Sequence, residues 1–343
     1  MFQPGNGGFC QGTNSFRVRG CSTWTSNRVA DKPEKCMNEN LKEKIKRGLQ
    51  SYLPRLWKTY CVLRTPGAIK KTRWIQERLE KARFRRCIKE GKPYFGPIMA
   101  ARQGAPVRHA YMRALVKQEC ARIGDRPYRI LEIGSWAGGS AITWAGAIQS
   151  FNMGRGCVVC VDPWERYLGN LVCRAEVYRA MHEALKSGDI FNLFLHNIRF
   201  SGFHSLVKVM RGQSGDILPL LKPETMDLVF VDGAHDYASV AADLKNASSL
   251  VCEGGILCGD DLELQLSVIN AHHAKDNAAI DYVRDPNTGG WFHPGVTLAV
   301  AESFGEVSAW EGFWAVRKTG RSWVKVVAEK LDREDIRVPP HLG

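Results

Sequence analysis

Apolar residues recur at helical spacing in the first third of the chain and in short strand-like runs from Tyr128 onward. Residues 1–40 are rich in Gly, Ser, Asn and charge, with little periodicity, which predicts an irregular arm. From Glu39 to Leu53, apolar Leu41, Ile45, Leu49 and Leu53 lie among lysines and arginines at the spacing of one helix face. Pro54 ends or kinks that helix, because proline has no backbone N–H to donate. Trp74 to Ile88 reads as a second basic helix, with Ile75, Leu79 and Phe84 near one face. A Gly/Pro-punctuated connection, Pro93 to Pro106, leads into a helix from His109 to Ile123 that carries Tyr111, Leu115 and Cys120.

After Gly124-Asp125-Arg126-Pro127 the pattern changes to alternating strands and helices. Strands are predicted at Tyr128–Ile133, Cys157–Val161, Leu206–Met210, Leu228–Val231 and Gly255–Cys258. Helices are predicted at Ser140–Ile148, Ala175–Lys186 and Tyr237–Leu250, with a later one at Gly295–Phe304. Runs Glu306–Trp310 and Phe313–Arg317 flank Glu311-Gly312, a hairpin pattern. The expectation is an α/β fold: a doubly wound, mostly parallel seven-stranded sheet with helices on both faces, a C-terminal antiparallel hairpin and a basic helical N-terminal extension. The corresponding divisions are an arm at 1–40, the extension at 41–104, the α/β domain at 105–320 and a tail at 321–343.

Charge sharpens this division. The net charge is +13, yet residues 1–127 hold about 28 Lys/Arg against about 9 Asp/Glu, so the remainder is mildly acidic. The basic third suits nucleic acid, an anionic surface or an acidic partner, or it is a solvated helix face. No run reaches the roughly 18 apolar residues of a membrane span. The start, MFQPGNGGFCQGTNSF, lacks the apolar core of a signal peptide, which gives a soluble, cytoplasmic expectation. Eleven cysteines, an odd number, argue against a disulfide scaffold. Cys157 and Cys160 lie three apart in a strand, on opposite faces, and read as structural thiols.

The first strand–helix junction reads LEIGSWAGGS, from Leu131 to Ser140. Its glycines permit a tight turn and close approach of backbone to a ligand, and in doubly wound sheets ligands lie beyond the carboxyl ends of the strands. The spacing is not G-x-G-x-x-G, so a pyrophosphate-binding turn is weakly supported. Instead, Glu132, Gly134 and Gly138 resemble the E/D-x-G-x-x-x-G motif of class I methyltransferases, which use S-adenosylmethionine. The resemblance spans roughly residues 105–318 and implies the Rossmann-like methyltransferase fold. It marks Glu132 as the motif acid and Gly134, Ser135, Gly138 and Ser140 as cofactor-loop residues. It also marks Asp162 as the acid that binds ribose hydroxyls, with a helix cap before Pro163 as the alternative. Gln213 and Ser214, after the third strand, fall where the family contacts adenine. Trp136 and Trp164 either flank the adenosine or belong to the core.

Asp232 follows the fourth predicted strand, in FVDGAHDY, and Asp260 and Asp261 follow the fifth. Neighbouring parallel strands lie about 4.8 Å apart, so their tips would bring three carboxylates to one cleft edge. Such groups repel one another unless a cation neutralises them, and a hard divalent ion, Mg²⁺ by default, is the simple answer. The alternative is a capping Asp232 and a solvated Asp260-Asp261 loop. These positions resemble the metal-dependent O-methyltransferases of the catechol type, and most of all a branch acting on sugar and natural-product hydroxyls. That resemblance implies Asp232, Asp260 and Asp261 as metal ligands and His235 as the base, with an ordinary packed or capping histidine as the other reading. Asp236 reads as the cap of the next helix. Gly289 to Val296 resembles a substrate-covering loop, and His272, His273 and His293 are substrate-side candidates.

The implied activity is metal-assisted methyl transfer from S-adenosylmethionine to a hydroxylated small molecule or glycosyl unit. Two other classes stay open: a nucleic-acid methyltransferase using the basic N-terminal third, and a non-catalytic protein that retains the fold.

Overall fold

The computed structural model describes residues 66–103, 105–165, 176–328, 331 and 336–342. The expected arm at 1–40 and the helix expected from Glu39 to Leu53 lie outside the described residues. Contacts divide the chain into two units, Met1–Arg73 and Trp74–Gly343. In the first, the described residues are the start of helix α1 (Pro66–Glu90), which contains the helix predicted at Trp74–Ile88.

The second unit alternates helices and strands in chain order. Helix α2 (Pro106–Ile123) precedes β1 (Tyr128–Ile133), α3 (Gly139–Phe151) and β2 (Gly156–Asp162). Then come α4 (Glu176–Ser187), α5 (Asp189–Phe200), β3 (Val207–Arg211), the single turn α6 (Ser214–Ile217) and β4 (Met226–Val231). Helix α7 (Tyr237–Leu250) leads to β5 (Val251–Leu262). The remainder is α8 (Ala271–Asp276), β6 (Val283–Arg284), β7 (Trp291–Phe292), α9 (Pro294–Phe304), β8 (Ser308–Trp310), β9 (Gly312–Thr319) and β10 (Ser322–Lys325).

The main sheet has the order β10-β9-β5-β4-β1-β2-β3, and β8 also pairs with β9. Strands β1 to β5 are parallel and β9 runs antiparallel to β5, as the sequence pattern predicts. The sheet has eight strands rather than the expected seven, because Ser322–Lys325 pairs antiparallel with β9.

Period-two alternation sorts the core into two layers. Ile130, Leu228 and Phe230 pack with Leu115, Trp144 and Phe194 from α2, α3 and α5. Leu131, Val229 and Val231 pack on the opposite face with Val240, Leu244 and Ala299 from α7 and α9. Both faces are therefore covered, and the carboxyl ends of β1, β2, β4 and β5 form the edge where ligands bind in such sheets.

Strand β5 differs from expectation at its end. It continues to Leu262 instead of stopping near Cys258, and its register against β9 shifts between Gly259 and Leu262. Asp260 and Asp261 occupy this irregularity, with Asp261 in the left-handed region at φ 64°. A bulge re-aims side chains, and here the re-aimed residues are two acids at the sheet's functional edge. Among the described residues, no helix is long and apolar enough to cross a membrane.

Candidate functional site

The β1–α3 loop is fixed by contacts that exclude a side chain. Gly134 has φ +86°, and a Cβ there would lie 2.0 Å from the Asp232 carbonyl oxygen. The Asp232 N–H in turn donates to the Ile133 carbonyl at 2.8 Å. The glycine loop and the FVDGAHDY stretch are thus in direct backbone contact.

Asp162, at the end of β2, ties the loop down from the other side. Its carboxylate accepts N–H bonds from Ser135 at 2.9 Å, Trp136 at 3.0 Å and Trp164 at 2.6 Å. An ionised carboxylate offers about four acceptor sites, so roughly one is left for a ligand. Most of the hydrogen-bonding capacity of Asp162 therefore holds the loop. Burial pushes the Asp162 pKa up, and the three backbone donors oppose that rise.

Glu132 lies beneath the loop, fully buried, with the Ser140 hydroxyl donating to Oε1 at 2.7 Å. Burial raises its pKa to about 7, against the pull of that hydroxyl. Glu132 Oε2 and Ser135 Oγ have no hydrogen-bond partner among the described residues. Trp164 is buried against Phe191 and Phe194, so it is a core residue, whereas Trp136 lines the site.

A cavity of about 550 Å³ opens beside this loop, within the roughly 300–1,000 Å³ of small-molecule sites. Gly134, Trp136, Asp162, Gln213 and Ser214 form part of its wall. Glu132, Ser135, Gly138 and Ser140 stand behind that wall rather than on it. Ser214 donates its hydroxyl to Asp243, whose burial lifts its pKa to about 6. Asp232, His235, Asp261 and Arg108 also line the same cavity.

The carboxylates converge as the strand order requires, but each faces a basic side chain. Arg108, on α2, donates from Nη1 to Asp232 at 3.1 Å and to Asp260 at closer range. Its side chain is only 7 % exposed. His235 bridges two acids, with Nε2 3.0 Å from Asp261 and Nδ1 2.6 Å from Asp281. His293 Nδ1 stands 3.0 Å from Glu263 and 4.0 Å from Asp261. Burial pushes Asp232 and Asp260 upward, against the pull of Arg108. Burial also raises Asp261, but His235 overrides it and holds that carboxyl below its usual range. Gly295 locks the covering segment in place, since a Cβ there would lie 2.3 Å from the His235 carbonyl oxygen.

Residues 131–262 match the family model of a methyltransferase domain. The chain carries a methyltransferase domain. Similar solved structures include the O-methyltransferase from Bacillus cereus, at 20 % identity and a TM-score of 0.37, over 64 % of this chain and 84 % of that one. The O-methyltransferase NovP matches at 17 % identity and a TM-score of 0.42, over 61 % and 80 %. The O-methyltransferase TomG from Streptomyces achromogenes matches at 22 % identity and a TM-score of 0.36, over 61 % and 79 %. No curated protein sequence matches the chain.

The methyltransferase domain does not present the three-carboxylate cage that Mg²⁺ would take. Mg²⁺ favours an octahedron of oxygens and retained waters. Here Asp232 and Asp260 share the Arg108 guanidinium, and the close donor groups combine acids with histidines: Asp232/His235/Asp261, Asp261/Glu263/His293 and His235/Asp281/His293. Asp260 joins none of these groups. The expectation of Asp232, Asp260 and Asp261 as a joint Mg²⁺ site does not fit this donor set.

The expected candidate His293 packs with its ring 4.6 Å from that of His235, behind the cavity wall. His272 and His273 do not line the cavity, and His273 is engaged by Asn277 at the C-terminal cap of α8. The sequence reading missed Arg108, Asp281 and Glu263. Arg108 is one basic residue in a strongly basic third, and Asp281 lies 46 residues beyond His235.

Proposed function

We propose that residues 105–320 form an S-adenosylmethionine-dependent O-methyltransferase acting on a hydroxyl of a small molecule or glycosyl unit. The observation that carries this reading is one cavity with the glycine loop and Asp162 in its wall, and His235 and Asp261 lining the same space. S-adenosylmethionine, when bound, supplies an electrophilic methyl group on sulfur.

The residues of the chain then divide the work. The loop at Gly134 and Trp136 holds the cofactor, and the remaining acceptor site of Asp162 takes one ribose hydroxyl. Gln213 and Ser214 face the adenine. Asp281 holds Nδ1 of His235, and Nε2, 3.0 Å from Asp261, accepts the proton of an acceptor hydroxyl that takes the place of the Asp261 contact. Orientation of that oxygen toward the methyl group supplies much of the acceleration, because the reaction is a direct displacement. Divalent metal is not required between Asp232 and Asp260, where Arg108 already supplies positive charge.

The acceptor end is supported by an aromatic pair. Tyr282 and Trp291 stack at 5.4 Å, and Tyr282 packs 4.6 Å from the His293 ring. Both are exposed, at 44 % and 53 %, although large aromatics usually bury their faces. A ring-shaped acceptor laid on that stack would direct its hydroxyl toward His293 and His235.

Two measurements test the reading. Calorimetry should detect S-adenosylmethionine binding by the purified chain. An acceptor screen with methyl-labelled cofactor should then transfer label to a hydroxyl. Absence of cofactor binding would overturn it.

A further inference from the structure

We propose that Arg108 is the resident cation of the Asp232–Asp260 pair, taking the place that the sequence pattern assigns to a divalent ion. The inference extends the methyl-transfer reading and rests on it for function, while the ion pair itself is testable without turnover.

Three observations combine. Asp232 and Asp260 come from the tips of adjacent strands, and close carboxylates that are largely buried repel unless something positive stands between them. Arg108 bridges both through one nitrogen, Nη1, from a side chain that is itself almost wholly buried. A buried guanidinium is costly unless paired, so the pairing is mutual: each partner makes the burial of the others tolerable. Finally, the remaining acids have their own partners, since Asp261 and Asp281 hold His235, and Glu263 holds His293. The cluster is compensated by side chains throughout.

A divalent ion and a guanidinium cannot share the same two oxygens, because like charges in contact distance repel strongly in a low-dielectric setting. The cation is therefore permanent, always charged and covalently part of the domain. Arg108 also lines the cavity, and its Nε has no hydrogen-bond partner among the described residues. It fixes α2 to the tips of β4 and β5 and places positive charge beside the space where an acceptor oxygen would lose its proton. Negative charge developing on that oxygen is stabilised by preorganised charge without any ion being recruited.

The test uses the full chain after treatment with chelator, and Mn²⁺ as the probe, followed by electron paramagnetic resonance. Wild type should hold no Mn²⁺ that Asp232→Asn removes. Arg108→Ala should bind Mn²⁺ at least about tenfold more tightly than wild type, and Arg108→Ala combined with Asp232→Asn should lose that gain. Arg108→Ala should also melt at a lower temperature than wild type and recover part of the loss when Mn²⁺ is added. If Arg108→Ala fails to fold, the wild-type and Asp232→Asn titrations decide alone. A wild-type chain that binds one Mn²⁺ per molecule and loses it on Asp232→Asn overturns the proposal. Methyl transfer, once an acceptor is found, should be equal within about twofold in chelator and in Mg²⁺, and strict Mg²⁺ dependence would also overturn it. A chain that transfers no methyl group at all defeats the functional reading while leaving the Mn²⁺ titration to judge the ion pair.

Discussion

His235 Nδ1 lies 2.6 Å from Asp281 Oδ1, while Nε2 of the same ring lies 3.0 Å from Asp261. Both nitrogens are held, so the ring has a fixed orientation in the cavity wall. If His235 is the proton acceptor, His235→Ala should reduce kcat by about 10²–10⁴-fold, the usual contribution of a positioned base. Asp281→Asn should reduce kcat less, and both variants should leave S-adenosylmethionine affinity near that of wild type. Steady-state kinetics paired with calorimetry would check this. Full turnover in His235→Ala would remove the residue from the mechanism.

The same pairing predicts a pH dependence. Burial alone would lower the His235 pKa, but Asp261 and Asp281 override it and raise the value well above 6.5. A base works only after losing its proton, so activity should be low at acidic pH and rise through the raised pKa. The acid limb of kcat/KM should therefore lie above 6.5. Asp281→Asn removes one group that favours the charged ring, which should move the limb to lower pH. A wild-type limb at or below 6.5 would contradict the observed geometry.

Much of this architecture is legible in the sequence, for physical reasons. A buried parallel sheet forces apolar runs such as Ile130-Leu131 and Leu228–Val231, and its topology sends their carboxyl tips to one edge. That is why Asp162, Asp232, Asp260 and Asp261 were locatable as a group. The compensating charges were not. Arg108 is buried because α2 packs against the sheet, a tertiary outcome that leaves no local pattern around one arginine. Asp281 reaches His235 from a segment of short elements between α8 and β6. Helix α5 also escaped notice, and β10, four residues long, lies in what reads as a tail. Convergence could be read from order along the chain, whereas charge balance required knowing what packs beside it.

Glu132 gives a stability prediction of defined sign. Its pKa is raised by burial from 4.5 to about 7 in the folded chain, so the folded state retains the proton over a range where the unfolded state has lost it. Stability should then fall as pH rises from about 4.5 to 7, by about 3 kcal/mol. Glu132→Gln keeps an oxygen for the Ser140 hydroxyl but cannot ionise. It should be more stable than wild type at pH 8, with the difference shrinking toward pH 5. Urea denaturation at both pH values would read this directly, and an unchanged difference would mean that Glu132 is not the titrating group.

Gly134→Ala tests the contact between the two halves of the site. The position combines φ +86° with an Asp232 carbonyl oxygen 2.0 Å from any added Cβ. The left-handed backbone alone costs about 1–3 kcal/mol for a residue with a side chain, and the clash adds to it. The variant should unfold at lower denaturant concentration and bind S-adenosylmethionine more weakly. Wild-type stability together with wild-type affinity would show that the loop and the Asp232 turn are less tightly apposed.

The aromatic stack separates acceptor binding from cofactor binding. Trp291 is exposed and stacks on Tyr282, which touches His293, and neither aromatic lines the cavity bounded by the glycine loop. A ring resting on such a face gains about 0.5–1.5 kcal/mol from stacking, which corresponds to roughly a two- to tenfold change in affinity. Trp291→Ala should therefore raise the acceptor KM by that factor while S-adenosylmethionine affinity and the melting temperature stay close to wild type. Trp291→Phe retains an aromatic face and should recover most of the loss. Because Trp291 is already exposed, its removal opens no core cavity, so a change confined to acceptor KM would be assigned to binding rather than to folding. An acceptor KM unaffected by Trp291→Ala would place the acceptor elsewhere along the cavity.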